Sequence, residues 1–368
     1  MKKFFLSFYL FAAVASVFAQ LNSSGFYRVI NVQDSRYVYV TDNTGSASAT
    51  SPDLKAVQLK KGLDKAVSDP ASVLYFNHVD GNKYNILAQG TSVTDIIGYT
   101  PSVYYSSRAQ AYQVYATVSG ATIYLGSDDD SYYQDKAISY MSTSSSGNYN
   151  LWNIYPITAD GDNYFGIKPS IEIGGKYYHS FYADFAFSFA SSGMKAYYVS
   201  AVSGDAATLV EITDEKIPER TPVIIECSSS SPSDNRLNLY KTGGTQISGN
   251  VLKGVFFCNP YRAYSSQAVT KNDKNTMRVL GKTSSGQLGL VVSSDKNLPA
   301  NCAYVTVPSG SSTNIVLSTD ATASIENIEI ESNGKPKIYS ILGTRYDCQF
   351  EELPAGIYII NGNKVIKK

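Results

Sequence analysis

The sequence contains little of the chemistry on which metal sites and nucleophilic catalysis depend. Its 368 residues include two histidines, four cysteines and one tryptophan. The charges balance, with 31 Lys and Arg against 31 Asp and Glu. The chain therefore lacks the net positive charge that is typical of proteins that bind nucleic acid or an anionic membrane. Catalysis would have to rely on carboxylates or hydroxyls. The composition therefore favours a protein that is not an enzyme, binds no nucleic acid, and needs no cofactor or metal.

Catalytic motifs are also missing. The chain has no Gly-x-Ser-x-Gly, no His-Glu-x-x-His, no phosphate-binding glycine loop and no Cys/His ligand cluster. His179 could be imagined as a base beside Asp184, but an odd separation along a strand turns the two side chains to opposite faces. A structural histidine is therefore expected. A glycosidase pair of carboxylates stays open, because two distant strands can supply it.

The residues that are abundant predict β structure. The chain has 30 tyrosines, and short runs of Val, Ile, Tyr and Phe alternate with Ser, Gly, Asn and Asp clusters about every 8 to 15 residues. Helical periodicity is almost absent, and Tyr178 to Phe189 favours a strand because aromatics occupy nearly every other position. The length exceeds one ordinary domain. We therefore predict an all-β protein with more than one domain.

The amino terminus has the pattern of a cleavable signal peptide. Lys2 and Lys3 precede an apolar run from Phe4 to Phe18, and small or medium residues lead to a cleavage point between Ala19 and Gln20. The apolar run is shorter than the roughly 20 residues that a membrane-spanning helix needs. Residues 1–19 are therefore predicted to be removed, leaving a mature chain with no membrane span, secreted or on the cell surface.

A repeat organises residues 20–158. Strand, turn and strand follow one another around Tyr75 with an Asp-Gly turn, and again around Tyr115 with Ser119-Gly120. Trp152 marks a third copy, which pairs with the opening hairpin. With Gln113-Val-Tyr115 approximating its Gln-x-Trp motif, the segment resembles the ricin-type β-trefoil family. The resemblance implies a closed three-fold barrel and a lectin-like role in which Gln113 contacts a carbohydrate.

An acidic and aromatic cluster lies in the third trefoil repeat. Carbohydrate sites combine acceptors for hydroxyl groups with aromatic faces for the sugar ring. A Ca²⁺ ion is another conceivable ligand, although the spacing of an EF-hand is missing. The third interpretation is a solvated acidic loop without a ligand. The candidate ligand-binding residues are Asp128, Asp129, Asp130, Tyr132, Tyr133 and Gln113.

Residues 160–320 contain a second repeat. Leu209 to Pro218 aligns without gaps on Leu290 to Pro299, at an offset of 81 residues. This pattern predicts a two-halved antiparallel β-sandwich or barrel-like domain, and the segment resembles a module of secreted and surface proteins of Bacteroidetes. Outside the cytosol, Cys227, Cys258 and Cys302 could form one disulfide or remain buried thiols.

The last segment, residues 321–368, follows a small, polar stretch typical of a flexible linker. It consists of short predicted strands with an Asn-Gly turn. Two motifs in order, around Gly343 and around Pro354, resemble the C-terminal sorting domain of the type IX secretion system; the alternative is an ordinary terminal hairpin. The resemblance implies recognition by that secretion machinery, with a sorting motif formed by Gly343, Pro354, Gly356, Tyr358 and Gly362.

These patterns leave several functions open. The first is a secreted or surface-attached, non-catalytic binding protein whose partner is a glycan or a host or matrix protein. The second is a structural or adhesive surface protein without a small ligand. The third is a protease inhibitor, since a trefoil can present one exposed loop to an enzyme.

Overall fold

The computed structural model describes residues 20–33, 35–42, 57–62, 66–94, 98–126, 136–137, 140–142, 148–256, 271–319, 338–340, 345–346, 350–360 and 363–367. Strands make up 50% of the structure, and no helix in these ranges reaches seven residues. The prediction of an all-β protein is confirmed. The described part of the expected linker, residues 308–314 and 318–319, flanks a strand at Asn314–Ser318 that pairs within the large central sheet, and residues 320–324 lie outside the described residues.

The strands fall into three groups. The N-terminal body contains β1 Gly25–Asn31, β2 Tyr37–Asp42, β3 Val57–Gly62, β4 Leu74–Asp80, β5 Lys83–Ala88, β6 Thr91–Ser92, β7 Ser102–Ser106, β8 Ala111–Val118, β9 Ala121–Gly126, β10 Lys136–Ala137, β11 Tyr140–Ser142 and β12 Trp152–Pro156. The central body contains β13 Phe165–Gly166, β14 Ile171–Ile173, β15 Lys176–Phe181, β16 Ala186–Phe189, β17 Lys195–Ser203, β18 Ala206–Glu211, β19 Val223–Cys227, β20 Arg236–Tyr240, β21 Lys253–Gly254, β22 Met277–Lys282, β23 Leu288–Val291, β24 Ala303–Thr306 and β25 Asn314–Ser318. The C-terminal sheet contains β26 Ile338–Ser340, β27 Arg345–Tyr346, β28 Gly356–Ile360 and β29 Asn363–Lys367. Short 3₁₀ helices span Ala66–Ser68, Pro70–Ser72, Asn148–Asn150, Pro232–Asp234 and Phe350–Glu352.

The N-terminal body is one twelve-stranded antiparallel sheet. Its pairings run from β1 through β4, β5, β7, β8 and β12 back to β1. Trp152 is fully buried in its core, and the indole N–H donates to the Leu125 carbonyl at 3.1 Å. The hairpins predicted from turn residues are present, and Ser119 and Gly120 have the positive φ angles that a tight turn requires.

The central body combines a ten-stranded sheet with a three-stranded one. The large sheet has the order β14-β15-β19-β17-β18-β25-β23-β22-β24-β21, and the small sheet the order β13-β20-β16. Neighbouring residues of β19 face different cores, because Ile225 packs with Phe181 and Phe187 while Ile224 packs with Val199. Parts of the large sheet are therefore buried on both faces.

The repeat at an offset of 81 residues has the same register in both halves. In the first half Tyr198 pairs with Val210 across β17 and β18, and the residues 81 positions later, Val279 and Val291, pair across β22 and β23. The backbone repeats as well, because Arg220 and its counterpart Asn301 both have a φ of 56°. Strand β25 joins the halves, since it pairs in parallel with β18 and antiparallel with β23.

The N-terminal and central bodies are joined by buried polar contacts. Arg28 of β1 is 1% exposed, and its guanidinium donates to the side chain of Asn163 at 2.7 Å and to the carbonyl of Tyr164 at 2.6 Å. Burial lowers the pKa of Arg28 to about 10. Phe26 packs edge-on against Phe185 nearby, with ring centroids 5.9 Å apart. The interface between the two bodies therefore combines aromatic packing with buried hydrogen bonds.

Candidate binding site

The outer face of β7, β8 and β9 carries an aromatic and amide surface, which we call the tyrosine face. Tyr104 on β7 lies opposite Gln113 on β8, and Tyr115 on β8 lies opposite Tyr124 on β9. Directly opposed residues point to the same side of a sheet. The rings of Tyr115 and Tyr124 are 6.0 Å apart. Three tyrosines and a glutamine therefore share one surface.

The alternation of these strands explains why the surface is accessible. Val103, Val114 and Ala116 point into the core and are buried, whereas Tyr104 is 45% exposed. Gln113, Tyr115 and Tyr124 are half-buried. The other residues of this face on the three strands are Ser102, Ser106, Ala111, Thr117, Thr122 and Gly126. The described part of the tyrosine face is therefore neutral, with hydrogen-bonding groups beside flat rings.

The sequence predicted one ligand-binding residue on this surface, Gln113, and singled out Tyr115 as part of the repeat. The predicted ligand residues Asp128, Asp129, Asp130, Tyr132 and Tyr133 lie outside the described residues; in sequence they come shortly after β9 ends at Gly126. Tyr104 and Tyr124 were missed, because only the cross-strand register brings them beside Gln113. In the sequence, the alternation of Val103 with Tyr104 was the signal that Tyr104 faces away from the core.

His179 and Asp184 have separate partners. The His179 Nδ1 lies 3.3 Å from the Ser170 hydroxyl, and burial lowers the pKa of His179 to about 4. Asp184 accepts a hydrogen bond of 2.9 Å from the Gly90 N–H of the N-terminal body, and burial raises its pKa. The two side chains are therefore held in place by different parts of the structure.

Cys227 is a free, buried thiol whose pKa is raised to about 12 by burial. A disulfide would therefore not involve this residue. Cys258 and Cys348 lie outside the described residues. Within the described ranges, no group of three or more His, Cys, Asp or Glu side chains could hold a metal ion.

The predicted sorting motif is divided between described and undescribed positions. Gly343 and Gly362 lie outside the described residues. Tyr358 is buried beside Ile338 and Leu353, and its hydroxyl donates to the Pro354 carbonyl at 2.8 Å. A Cβ on Gly356 would lie 3.2 Å from that hydroxyl. Tyr358 therefore belongs to the core of the C-terminal sheet, and its hydroxyl contacts Pro354, which is exposed, and lies beside Gly356.

The predicted cleavage point falls at the start of the described chain. Ala19 lies outside it, while Gln20 is bound to β7. The Gln20 side chain donates to the Val103 carbonyl and accepts from the Tyr105 N–H, both at 2.8 Å. Gln20 thus contributes to the edge of the N-terminal body.

Comparison with family models, curated proteins and solved structures gives no match. None of the helices described here is long and apolar enough to cross a membrane. The function is therefore inferred from the chain itself.

Proposed function

We propose that the chain is a non-catalytic binding protein, exported to the cell surface or the medium, that contacts glycans through its N-terminal body. The observation that carries this proposal is the tyrosine face, which places Gln113 among Tyr104, Tyr115 and Tyr124. Flat rings suit the apolar side of a sugar, and amide and hydroxyl groups suit its hydroxyls. We assign the N-terminal body to the β-trefoil fold, which the circuit of pairings from β1 back to β1 supports.

A glycan array with multivalently displayed protein tests the glycan proposal. A single aromatic contact contributes roughly 1 kcal/mol, so multivalent display is needed to detect a weak site. Tyr104→Ala and Gln113→Ala should remove binding, while Tyr99→Ala, an exposed tyrosine outside the three strands, should keep it. Loss on Asp129→Ala or Tyr132→Ala would extend the site to the acidic cluster.

Other results would favour the alternatives. A blank array together with inhibition of a protease favours the inhibitor function. A blank array with no inhibition favours a structural or adhesive surface component. The separate partners of His179 and Asp184 remove one candidate catalytic pair.

Export through the type IX pathway is the second part of the proposal. It is supported by the leader sequence and by the C-terminal sheet, which has a core of its own around Ile338, Leu353 and Tyr358. Deleting residues 321–368 in the native host should abolish appearance of the protein outside the cell. Mass spectrometry of the exported protein should find Gln20 as its first residue. An unchanged level of export after the deletion would reject this route.

A further inference from the structure

A groove separate from the tyrosine face runs along one edge of the small sheet. One wall is the segment Ile157–Asp160, which connects the N-terminal and central bodies, and the other is Leu237–Tyr240 of β20. Phe189 and Ala190 complete the lining, and the cavity has a volume of about 820 Å³. Four strand residues extend about 13 Å, so the groove has the length of a short extended peptide.

Strand β20 has an unused edge along this groove. On that side β13 pairs only with Arg236 and Leu237. On the other side β16 pairs with all residues from Leu237 to Tyr240. Within the described residues, no strand therefore pairs with β20 beyond Leu237 on the groove side.

The direction of the Leu239 main chain follows from its partner on β16. Leu239 lies opposite Phe187, and both the N–H and the carbonyl of Phe187 bond to Ile217 on the far side. In an antiparallel ladder such a pair exchanges no hydrogen bonds. The N–H and carbonyl of Leu239 consequently point away from β16, towards the side of β20 on which β13 pairs, as one donor and one acceptor in strand geometry.

The two ends of the groove differ in charge. At the Tyr240 end, the Lys216 Nζ lies 4.2 Å from the Tyr240 ring, and the Lys241 Nζ lies 5.2 Å from the Tyr75 ring. At the other end Asp160 lies beside the guanidinium of Arg236, which donates to the carbonyls of its neighbours Ala159 and Gly161, so that the two charges there balance. A strand antiparallel to β20, as β13 and β16 are, would enter at the lysine end and leave at the aspartate end.

We propose that this groove binds an extended peptide segment of a partner protein, which adds to the edge of β20 through the main chain of Leu239. Charge complementarity with Lys216 and Lys241 indicates an acidic residue near the amino end of the segment. Apolar side chains at alternate positions would face Phe189 and Leu237, as in other cases of strand addition.

The test uses the full-length protein and a fluorescent octapeptide of alternating valine and threonine, acetylated and amidated, with glutamate at its second position and lysine at its seventh. Fluorescence polarisation should show saturable binding. N-methylation of a central peptide amide should weaken binding about tenfold, since one hydrogen bond is lost and its partner stays unpaired. The Leu239 amide should exchange with solvent about tenfold more slowly when peptide is bound.

Variants separate the groove from other surfaces. Ala190→Trp fills the groove and should abolish binding, whereas Ala201→Trp, at an exposed position of β17, should not. Lys216→Glu should weaken binding, and a peptide with lysine in place of its glutamate should restore it. Tyr104→Ala should have no effect, so failure of the glycan proposal would not affect this one.

Three results would overturn the inference. In the first, the N-methylated peptide binds as well as the parent. In the second, cellohexaose, rather than the peptide, protects the Leu239 amide, which would make the groove a sugar site. In the third, sedimentation shows a dimer, and the Leu239 amide is already protected from exchange in this dimer without peptide.

Discussion

The side-chain amides of Gln89 and Asn301 exchange two hydrogen bonds of 2.8 Å, although 212 positions separate them in the sequence. Both have left-handed backbone conformations, with φ angles of 51° and 56°. The Gln89 amide also donates to the Phe256 carbonyl, and the Asn301 amide to the Tyr182 carbonyl. This pair fixes the turn between β5 and β6 to the central body.

Removing either amide should destabilise the protein. Gln89→Gly and Asn301→Gly tolerate the left-handed backbone but remove both shared hydrogen bonds and leave the side-chain oxygen of the partner amide buried without its donor, which costs about 1–3 kcal/mol in the free energy of unfolding. The double variant should lose less than the sum of the two, because the two shared hydrogen bonds are already lost with the first change. Urea unfolding followed by circular dichroism measures all three.

Trp152 makes this experiment more informative. It is the one tryptophan of the chain and lies in the N-terminal body, so its fluorescence reports on that body, while circular dichroism reports on all of them. In the double variant the two transitions should separate. Gln246→Ala, an exposed control, should leave the transitions unchanged; additive losses in the cycle would show that the two amides do not interact.

The core of the N-terminal body should be sensitive to Trp152 itself. Trp152→Phe removes the donor to the Leu125 carbonyl and part of a fully buried ring, and should lower the free energy of unfolding by about 2–4 kcal/mol. Tyr99→Phe serves as the control at an exposed position. Thermal unfolding measured by circular dichroism compares the two variants with the parent. Equal stabilities would show that the indole does not stabilise the core.

Stability should depend on pH through His179. Its folded pKa of about 4 lies below the ordinary value of 6.5, so the unfolded chain binds a proton more readily between these values. The free energy of unfolding should therefore rise with pH from about 4 to 6.5, by about 2–3 kcal/mol from this residue. His179→Leu should flatten this part of the profile. His78→Gln should retain it, and a His179 variant with the parent slope would contradict the prediction.

Gly289 should not accept a larger residue. A Cβ at this position would lie 2.6 Å from the Ile315 carbonyl oxygen on β25 and would also collide with the Thr283 side chain. Gly289→Ala should therefore cost about 1–3 kcal/mol. At Gly161 the nearest group is the Thr158 hydroxyl of an exposed side chain, which can rotate away. Gly161→Ala is thus the control in chemical denaturation, and equal losses would argue against the close approach of β23 and β25.

Local features of the fold were predictable from the sequence, and distant pairings were not. Turn residues such as Ser119 and Gly120 predict hairpins because their allowed conformations are a property of the residues themselves. The pairing of Trp152 with the opening strand was predicted correctly, because the last repeat of a closed barrel must pair with the first strand. Tyr104 and Tyr124 could not be placed beside Gln113, and Gln89 could not be matched with Asn301, because cross-strand register and packing between bodies depend on the whole chain.

Strand β25 also constrains the order in which the chain can fold. It is the last strand of the central body, yet it lies in the middle of the large sheet, between β18 and β23. While the polypeptide is being synthesised or threaded through a pore, each half can form its own hairpin, but the seam between the halves stays open until residues 314–318 emerge. Two hydrogen-bonding edges are exposed during that interval and are the places where misassembly with another chain would begin.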